Sequence, residues 1–182
     1  VIGGPQASGI LAGRKDLIMA AALQHLDLDI FWDMWEPPPG LIDKKRLKGA
    51  PAHGIGRTCK AGKEEIVGLL TALKLFVAEG DKARHGRWLQ SILAIRDGLG
   101  AAKGVELTVT GAGDTATIPT LEIRLARPRD ARSVALNLQH RSPALHVDPA
   151  LRHRNTLVIN PVCLRAGDEA LAVKALKAVL KG

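Results

Sequence analysis

Two glycine-rich segments stand near the start of the chain: GGPQASGILAGRKDLI at residues 3–18 and GRTCKAGKEEIVGLLTAL at residues 56–73. In the first segment, glycines allow the backbone to approach a ligand closely, and Pro5 stiffens the turn. In the second segment, Arg57, Lys60 and Lys63 lie among glycines just before a helix begins. This pattern favours the binding of an anion. Taken alone, the first segment is equally compatible with a ligand site or an ordinary tight turn. The second is equally compatible with an anion site or a basic loop before an ordinary helix cap.

The spacing of apolar residues predicts the elements around these segments. We expect a buried strand at residues 8–13, a helix at 14–26, and an ordered, proline-containing loop at 27–51 with a helical turn at 41–47. Helices are predicted at 62–79 and 82–99. In the first of these two helices, a single buried face is expected from five residues at helical spacing: Ile66, Leu69, Leu70, Leu73 and Phe76.

The pattern changes after residue 100, where polar and apolar residues alternate as they do in half-buried strands. Strands are predicted at 105–110, 120–126, 145–147 and 156–159, and helices at 131–139 and 167–180. Because the strands are short and the helices are few, this part predicts an α+β unit of roughly 100 residues. Its sheet should be antiparallel, with helices on one side.

Composition excludes several classes of protein. The 182 residues are 46% apolar and 24% charged, which is typical of a globular chain with a sizeable core. No apolar run approaches the length of a membrane helix, and no signal peptide is present. Cys59 and Cys163 lie far apart, so a reduced, cytoplasmic setting fits best. The chain has no initiator Met, so we expect it to be part of a longer protein.

The candidates for chemistry are few. No hydrolase elbow, P-loop or zincin pattern occurs, and the six histidines lack the spacing of metal ligands, so no metal site is expected. The net charge of +8 permits nucleic-acid binding, but the absence of Tyr and only two Phe leave few aromatic side chains to stack on bases. We therefore expect the excess charge to be mostly solvated surface together with one local anion site.

Together, the two segments resemble a known family more specifically than either does alone. The pattern G-G-P-Q-A-x-G-I-x-x-G-R-K-D-L-I, a helix, and then G-R-x-x-K-x-G-K-E-E-I-x-G-L-x-x-A-L is similar to the selenocysteine synthase-like branch of the pyridoxal phosphate enzymes of fold type I, the aspartate aminotransferase fold. That branch includes L-seryl-tRNA selenium transferase and D-glucosaminate-6-phosphate ammonia lyase. The resemblance is strong over residues 1–79 and looser over 80–182, where residues 157–164 look like the family's late strand.

The resemblance implies an α/β fold of which this chain is the C-terminal part. Residues 1–79 would end the large domain that binds pyridoxal phosphate, and residues 80–182 would form the small α+β domain. The Schiff-base lysine would lie just before Val1, and Lys15 does not match it. Gly3, Gly4, Pro5 and Gln6 would then form the floor of the cofactor site. Arg57 and Lys60 would hold a phosphate or carboxylate of the substrate.

Two departures from the family pattern bear on the reaction that the resemblance implies. Selenium transferases carry two arginines near the second segment, whereas here Gly54 replaces the first and Arg57 matches the second. The chain also has an insertion at about 27–51, whose Trp32 and Trp35 either line a pocket entrance or simply pack beneath the loop. We therefore expect a lyase, of the ammonia-lyase or β-elimination type, acting on a small amino acid or amino sugar acid that can be phosphorylated.

Two alternatives stay open at this point. One is selenocysteine synthase itself, a transferase with a tRNA partner, which the net charge permits but which is not favoured. The other is a non-enzymatic α+β regulatory module formed by residues 80–182. The resemblance also implies a homodimer and no membrane association. An apolar face is expected where another part of the protein would cover residues 1–79.

Overall fold

The computed structural model describes residues 2–26, 29–49 and 53–180, and these contain five α-helices and three β-strands. The helices are α1 (Lys15–Gln24), α2 (Lys63–Glu79), α3 (Asp81–Leu99), α4 (Ala131–Gln139) and α5 (Asp168–Leu180); the strands are β1 (Val105–Thr110), β2 (Thr120–Leu125) and β3 (Thr156–Ile159). The chain divides into two units between Phe76 and Val77, within α2. We call Ile2–Phe76 the first unit and Val77–Gly182 the second unit.

An antiparallel sheet in the order β1-β2-β3 organises the second unit, as the alternating pattern predicted. The central strand β2 places Leu121, Ile123 and Leu125 on one face, where each is at most 4% exposed. Glu122 and Arg124 alternate with them and are not buried. The period of two therefore gives this strand one apolar face and one polar face.

Helices α3, α4 and α5 cover the apolar face of the sheet, so the expectation of helices on one side is confirmed. Ile92 and Ile95 of α3, with Leu176 of α5, are fully buried against the strands. Gly98 lets α3 and α5 approach closely, because a Cβ there would lie 2.7 Å from Cγ2 of Val173. A larger side chain at position 98 would force the two helices apart.

Asn155 joins three parts of the second unit through its side chain. Its Nδ2 donates to the carbonyls of Leu125 (2.7 Å) and Arg129 (2.9 Å), and its Oδ1 accepts from the backbone N–H of Ala131 (2.7 Å). Its backbone has φ of 55°, in the left-handed region that asparagine tolerates better than most residues. The end of β2, the loop that follows and the start of α4 are thus held by one amide.

The first unit has the predicted helices but a much smaller core. Its buried apolar residues are Met19, Trp35 and Ile42. Helix α2 forms where the sequence predicted it, but the predicted buried face is wrong, since none of its described side chains is buried. Ile66 and Leu70 are about half exposed. The spacing predicted the helix correctly, but burial also requires a neighbouring element to cover the face.

Two predicted strands do not form. Residues 8–13 are exposed coil, with Leu11 69% exposed, because β1–β3 make the sheet of the described chain and none of them pairs with this segment. Residues 145–147 also form no strand. Asp148 alone bridges Val158, and Pro149, which lacks an N–H, follows it and ends the pairing.

The predicted loop at 27–51 is only partly described, because residues 27–28 and 50–51 lie outside the described residues. Its described part contains two short 3-10 turns, Trp32–Met34 and Lys44–Arg46. The second of these turns confirms the helical turn that was expected at 41–47.

We expect Asn155→Gly to lower the free energy of unfolding by about 2–3 kcal/mol, because three hydrogen bonds are lost while the left-handed backbone is still allowed. Asn155→Ala should cost about 1 kcal/mol more, since alanine is strained at positive φ. Urea denaturation followed by circular dichroism measures both. Asn137→Ala, on the exposed side of α4, is the matched control and should change stability by less than about 0.5 kcal/mol. Equal effects at the two asparagines would contradict this role for Asn155.

Candidate functional site

The Gly3–Gly4–Pro5–Gln6 stretch packs directly against α2. A Cβ at Gly4 would lie 2.8 Å from Cδ1 of Leu69, and a Cβ at Gly68 would lie 2.7 Å from Cγ of Pro5. The two glycines therefore remove the side chains that would keep this stretch away from the helix. The close approach that the structure shows is to α2 of the same chain, whereas the sequence predicted a close approach to a ligand.

The outer side of this stretch remains open. Gly3 has φ of 80°, which favours glycine, and apart from its chain neighbours no heavy atom of the described residues lies within 4 Å of the position of its missing Cβ. Gln6 is exposed, at a turn that the Ser8 hydroxyl closes by donating to the carbonyl of Pro5. Gly4 and Pro5 thus anchor the stretch, and Gly3 and Gln6 lie on its accessible side.

The second segment is attached to the C-terminal end of α1. The N–H of Gly56 donates to the carbonyl of Gln24 (2.8 Å), and the N–H of Gly54 donates to the carbonyl of Leu26 (3.1 Å). A Cβ at Gly54 would lie only 1.9 Å from the oxygen of Gln24. Glycine is therefore required at position 54, which gives a physical reason why no arginine stands there.

Arg57 and Lys60 leave this attachment point with exposed side chains. Arg57 begins a 3-10 turn, Arg57–Cys59, and Lys60 follows it as the C-cap. Because a 3-10 helix has three residues per turn, the two cations come one turn apart along the chain. The binding of a substrate anion by these two residues stays a prediction.

The N-terminus of α2 already faces carboxylates. A Cβ at Gly62 would lie 2.2 Å from Oε2 of Glu65 and 3.3 Å from Oε2 of Glu64. These acidic side chains complement the positive end of the helix dipole. Glu64 and Glu65 therefore make this helix end less favourable for an anion than the sequence suggested.

Helix α2 connects the two segments. The second segment runs into its first residue, Lys63, and the first segment packs at Gly68 and Leu69. At 1.5 Å per residue, these points are about 8–9 Å apart along the helix axis. Helix α2 thus contains the end of the second segment and packs against the first, while the start of the second segment is held by α1.

Trp35 is buried beneath the loop, which is the packing role that the sequence left open for it. Trp32 is half-buried, and the two ring centroids are 5.7 Å apart. The Lys44 ammonium donates to the carbonyls of Trp32 and Trp35, both at 2.7 Å, and lies 4.7 Å from the centroid of the Trp32 ring. Sequence reasoning missed this role of Lys44, because its partners are backbone carbonyls, which no residue pattern reveals.

A polar cleft in the second unit was also not predicted. A cavity of about 480 Å³ is lined by Arg87, Ser91, Arg165 and Glu169 among others. The Ser91 hydroxyl donates to Glu169 Oε1 (2.6 Å), and this bond lowers the pKa of the Glu169 carboxyl below its usual range. The two residues are 78 positions apart, so no local pattern could have joined them.

Comparisons with known proteins give distant relatives. No protein-family model matches the chain. Over 180 residues the chain is 22% identical to a 5'-C-glycyluridine monooxygenase-decarboxylase of Streptomyces sp. The aligned region covers 97% of this chain and 38% of that protein. A solved D-glucosaminate-6-phosphate ammonia-lyase superposes with a TM-score of 0.54 at 22% identity, covering 70% of this chain and 34% of that one.

Both of these proteins are enzymes, and the chain spans well under half the length of either. The superposition shows that the matched part of this chain shares its fold with part of the ammonia-lyase. Within the described ranges, no helix combines the length and the apolar character that crossing a membrane requires.

The close contact at Gly54 can be tested by one methyl group. We expect Gly54→Ala to lower the free energy of unfolding by at least about 2 kcal/mol and to speed tryptic cleavage after Arg57 and Lys60, because Gln24 must move away. Gly40→Ala, where no atom lies within 4 Å of the new Cβ, is the control and should change neither measurement. If both variants behave like the unsubstituted protein, the segment is not held against α1.

Proposed function

We propose that this chain belongs to a pyridoxal phosphate enzyme of fold type I, in which Ile2–Phe76 ends the cofactor-binding domain and the second unit is the small domain. The observation that carries the proposal is the placement of both resemblance segments on one helix, α2. The fold shared with an ammonia-lyase supports it. The Schiff-base lysine is expected before Val1, outside this sequence.

The described residues fit one side of such a cofactor site. Gly3 leaves open space beside its backbone, and Gly4 and Pro5 fix that backbone to α2. A planar ring could therefore lie against Gly3 without meeting a side chain of this stretch. Gln6, exposed at the adjacent turn, would donate or accept a hydrogen bond at the edge of that ring.

When bound, pyridoxal phosphate accepts electrons from the α-carbon of an amino acid, which makes loss of ammonia or of a β-substituent feasible. The part that this chain plays is binding and orientation. Arg57 and Lys60 would hold a phosphate or carboxylate, and the contacts at Gly54 and Gly56 fix the loop that carries them. A fixed anion grip orients the rest of the substrate for reaction.

The names of the two relatives suggest a substrate class. One acts on an amino sugar acid that carries a phosphate, and the other on a uridine that carries a glycyl group. Both names describe an amino acid attached to a sugar-derived chain. We propose an amino acid of this kind as the substrate, and a lyase of the ammonia-lyase or β-elimination type as the enzyme.

A second candidate is oxidative decarboxylation of such an amino acid. The observation that favours it is the extent of the match to the monooxygenase-decarboxylase, which covers 97% of this chain. The two reactions are readily distinguished, since a lyase releases ammonia without oxygen, whereas the other reaction consumes oxygen and releases carbon dioxide. Neither relative is a selenium transferase, so selenium transfer remains the less favoured alternative.

The full-length protein should bind pyridoxal phosphate and retain it covalently after borohydride reduction, as an added mass on a lysine-containing peptide. With a phosphorylated amino sugar acid, Arg57→Ala and Lys60→Ala should each raise KM about tenfold with little change in kcat, because each removes one charge-assisted contact. Lys45→Ala, an exposed cation outside the segment, is the control and should change neither constant. Full-length protein that never takes up the cofactor would refute the proposal.

We also propose that the full-length protein is a homodimer, as the resemblance implies. The first unit exposes a set of large apolar side chains: Ile10, Leu11, Leu17, Ile30, Phe31, Met34, Leu41, Ile55, Ile66, Val67, Leu70 and Leu75. Light scattering should give twice the chain mass, and Leu70→Glu should lower it toward a monomer, whereas Lys74→Glu should not. A monomer at micromolar concentration would contradict this arrangement.

A further inference from the structure

A cavity in the second unit lies where the core reaches the edge of the sheet. Its volume is about 300 Å³, within the range of small-molecule sites. It is lined by Leu99, Gly100, Ala101, Ala102, Lys103, Val105, Leu107, Arg129, Lys177 and Leu180. The cavity is partly open to solvent, so a small ligand can enter it.

The apolar part of the lining comes from three elements. Val105 and Leu107 lie on the inward side of β1, the edge strand, and are only half-buried. Leu99 ends α3 and Leu180 ends α5, and both are buried. The core therefore stops short of the edge strand and leaves apolar side chains facing the cavity.

The polar part of the lining is entirely cationic. Lys103, Arg129 and Lys177 are its charged residues, and the lining contains no Asp or Glu. Among the described residues, no carboxylate forms an ion pair with any of the three. Three cations at one apolar cavity, none of them in a described ion pair, favour an anion over a neutral or cationic ligand.

Arg129 is held rigidly at the wall. Its Nη1 donates to the carbonyl of Lys103 and its Nη2 to the carbonyl of Leu180, both at 2.8 Å. Gly104 leaves room for this guanidinium, since a Cβ there would lie 3.0 Å from Nη1. Its Nε is buried with no acceptor among the described residues. A fixed charge of this kind loses no side-chain freedom when an anion binds beside it.

We propose that this cavity binds a small amphipathic anion, with an apolar body against Val105 and Leu107 and a carboxylate or phosphate head among Lys103, Arg129 and Lys177. All of its residues lie between positions 99 and 180. The site therefore uses none of the residues assigned above to cofactor or substrate, and the inference does not depend on the proposed function.

Octanoate is the probe for the test, and octanamide is its neutral counterpart of nearly the same shape. In a nitrogen-15 NMR titration of the chain, octanoate should shift the amides of residues 99–107 and 177–180 saturably. Octanamide should bind about tenfold more weakly, because it lacks the charge that the cations attract. Equal binding of both probes, or octanoate shifts confined to the exposed apolar residues of the first unit, would overturn the proposal.

Variants separate the head group from the apolar body. The double variant Lys103→Ala/Lys177→Ala should weaken octanoate binding about tenfold, whereas Lys174→Ala, exposed on α5 and outside the lining, should not. Val105→Phe should fill the cavity and abolish binding, since aromatic residues are accepted in strands. If that variant does not fold, Ala102→Leu fills the same space. Unchanged affinity in the folded filled variant would refute the site.

Arg129 is left intact in these tests because its removal would also release the loop before β1 from the end of α5. A loss of binding in an Arg129 variant would therefore not separate charge from structure. The side chains of the two lysines make no described hydrogen bond or ion pair, and alanine at position 103 keeps the carbonyl that Arg129 binds, so these substitutions report on the head group alone.

Discussion

The second unit depends on the burial of one face of β2. Leu121, Ile123 and Leu125 are almost fully inaccessible, and each pairs across the sheet with an apolar residue of β1. A shift of the strand by one residue would turn all three toward solvent and place Glu122 and Arg124 in the core. The positions of α3, α4 and α5 follow from this register, because their apolar stripes must cover the same face. The left-handed turn at Asn155 then fixes where β3 begins.

The first unit is built on a different principle, with close backbone contacts in place of a large core. Gly4 and Gly68 bring the first segment onto α2, and Gly54 and Gly56 bring the second onto α1. Three buried apolar residues contribute far less burial energy than the core of the second unit does. Contacts of this kind position a backbone accurately, but they leave the outer apolar side chains of α2 uncovered. A well-positioned backbone with uncovered apolar side chains is what the proposed subunit or domain interface requires.

The sequence predicted elements well wherever the signal was local. The alternation at 105–110 and the spacing at 131–139 match β1 and α4 residue for residue. Prediction from sequence failed where burial depends on distant partners. Among the described residues, no strand pairs with residues 8–13, and Ile66 and Leu70 remain about half exposed. For the candidate site, the glycine pattern indicated a close approach but not its partner. The contacts of Lys44 and Arg129 with backbone carbonyls leave no trace in a residue pattern.

The basic character of the chain therefore has a different meaning from the one its net charge first suggests. Lys44 is bonded to two backbone carbonyls, Arg129 to two more, and Arg87 pairs with Glu79. Cations used in this way stabilise loops and helix ends. A surface that follows a nucleic-acid backbone needs cations repeated side by side at the exterior. The two small groups of cations, at Arg57 and Lys60 and around Arg129, are the places where we propose that single small anions bind.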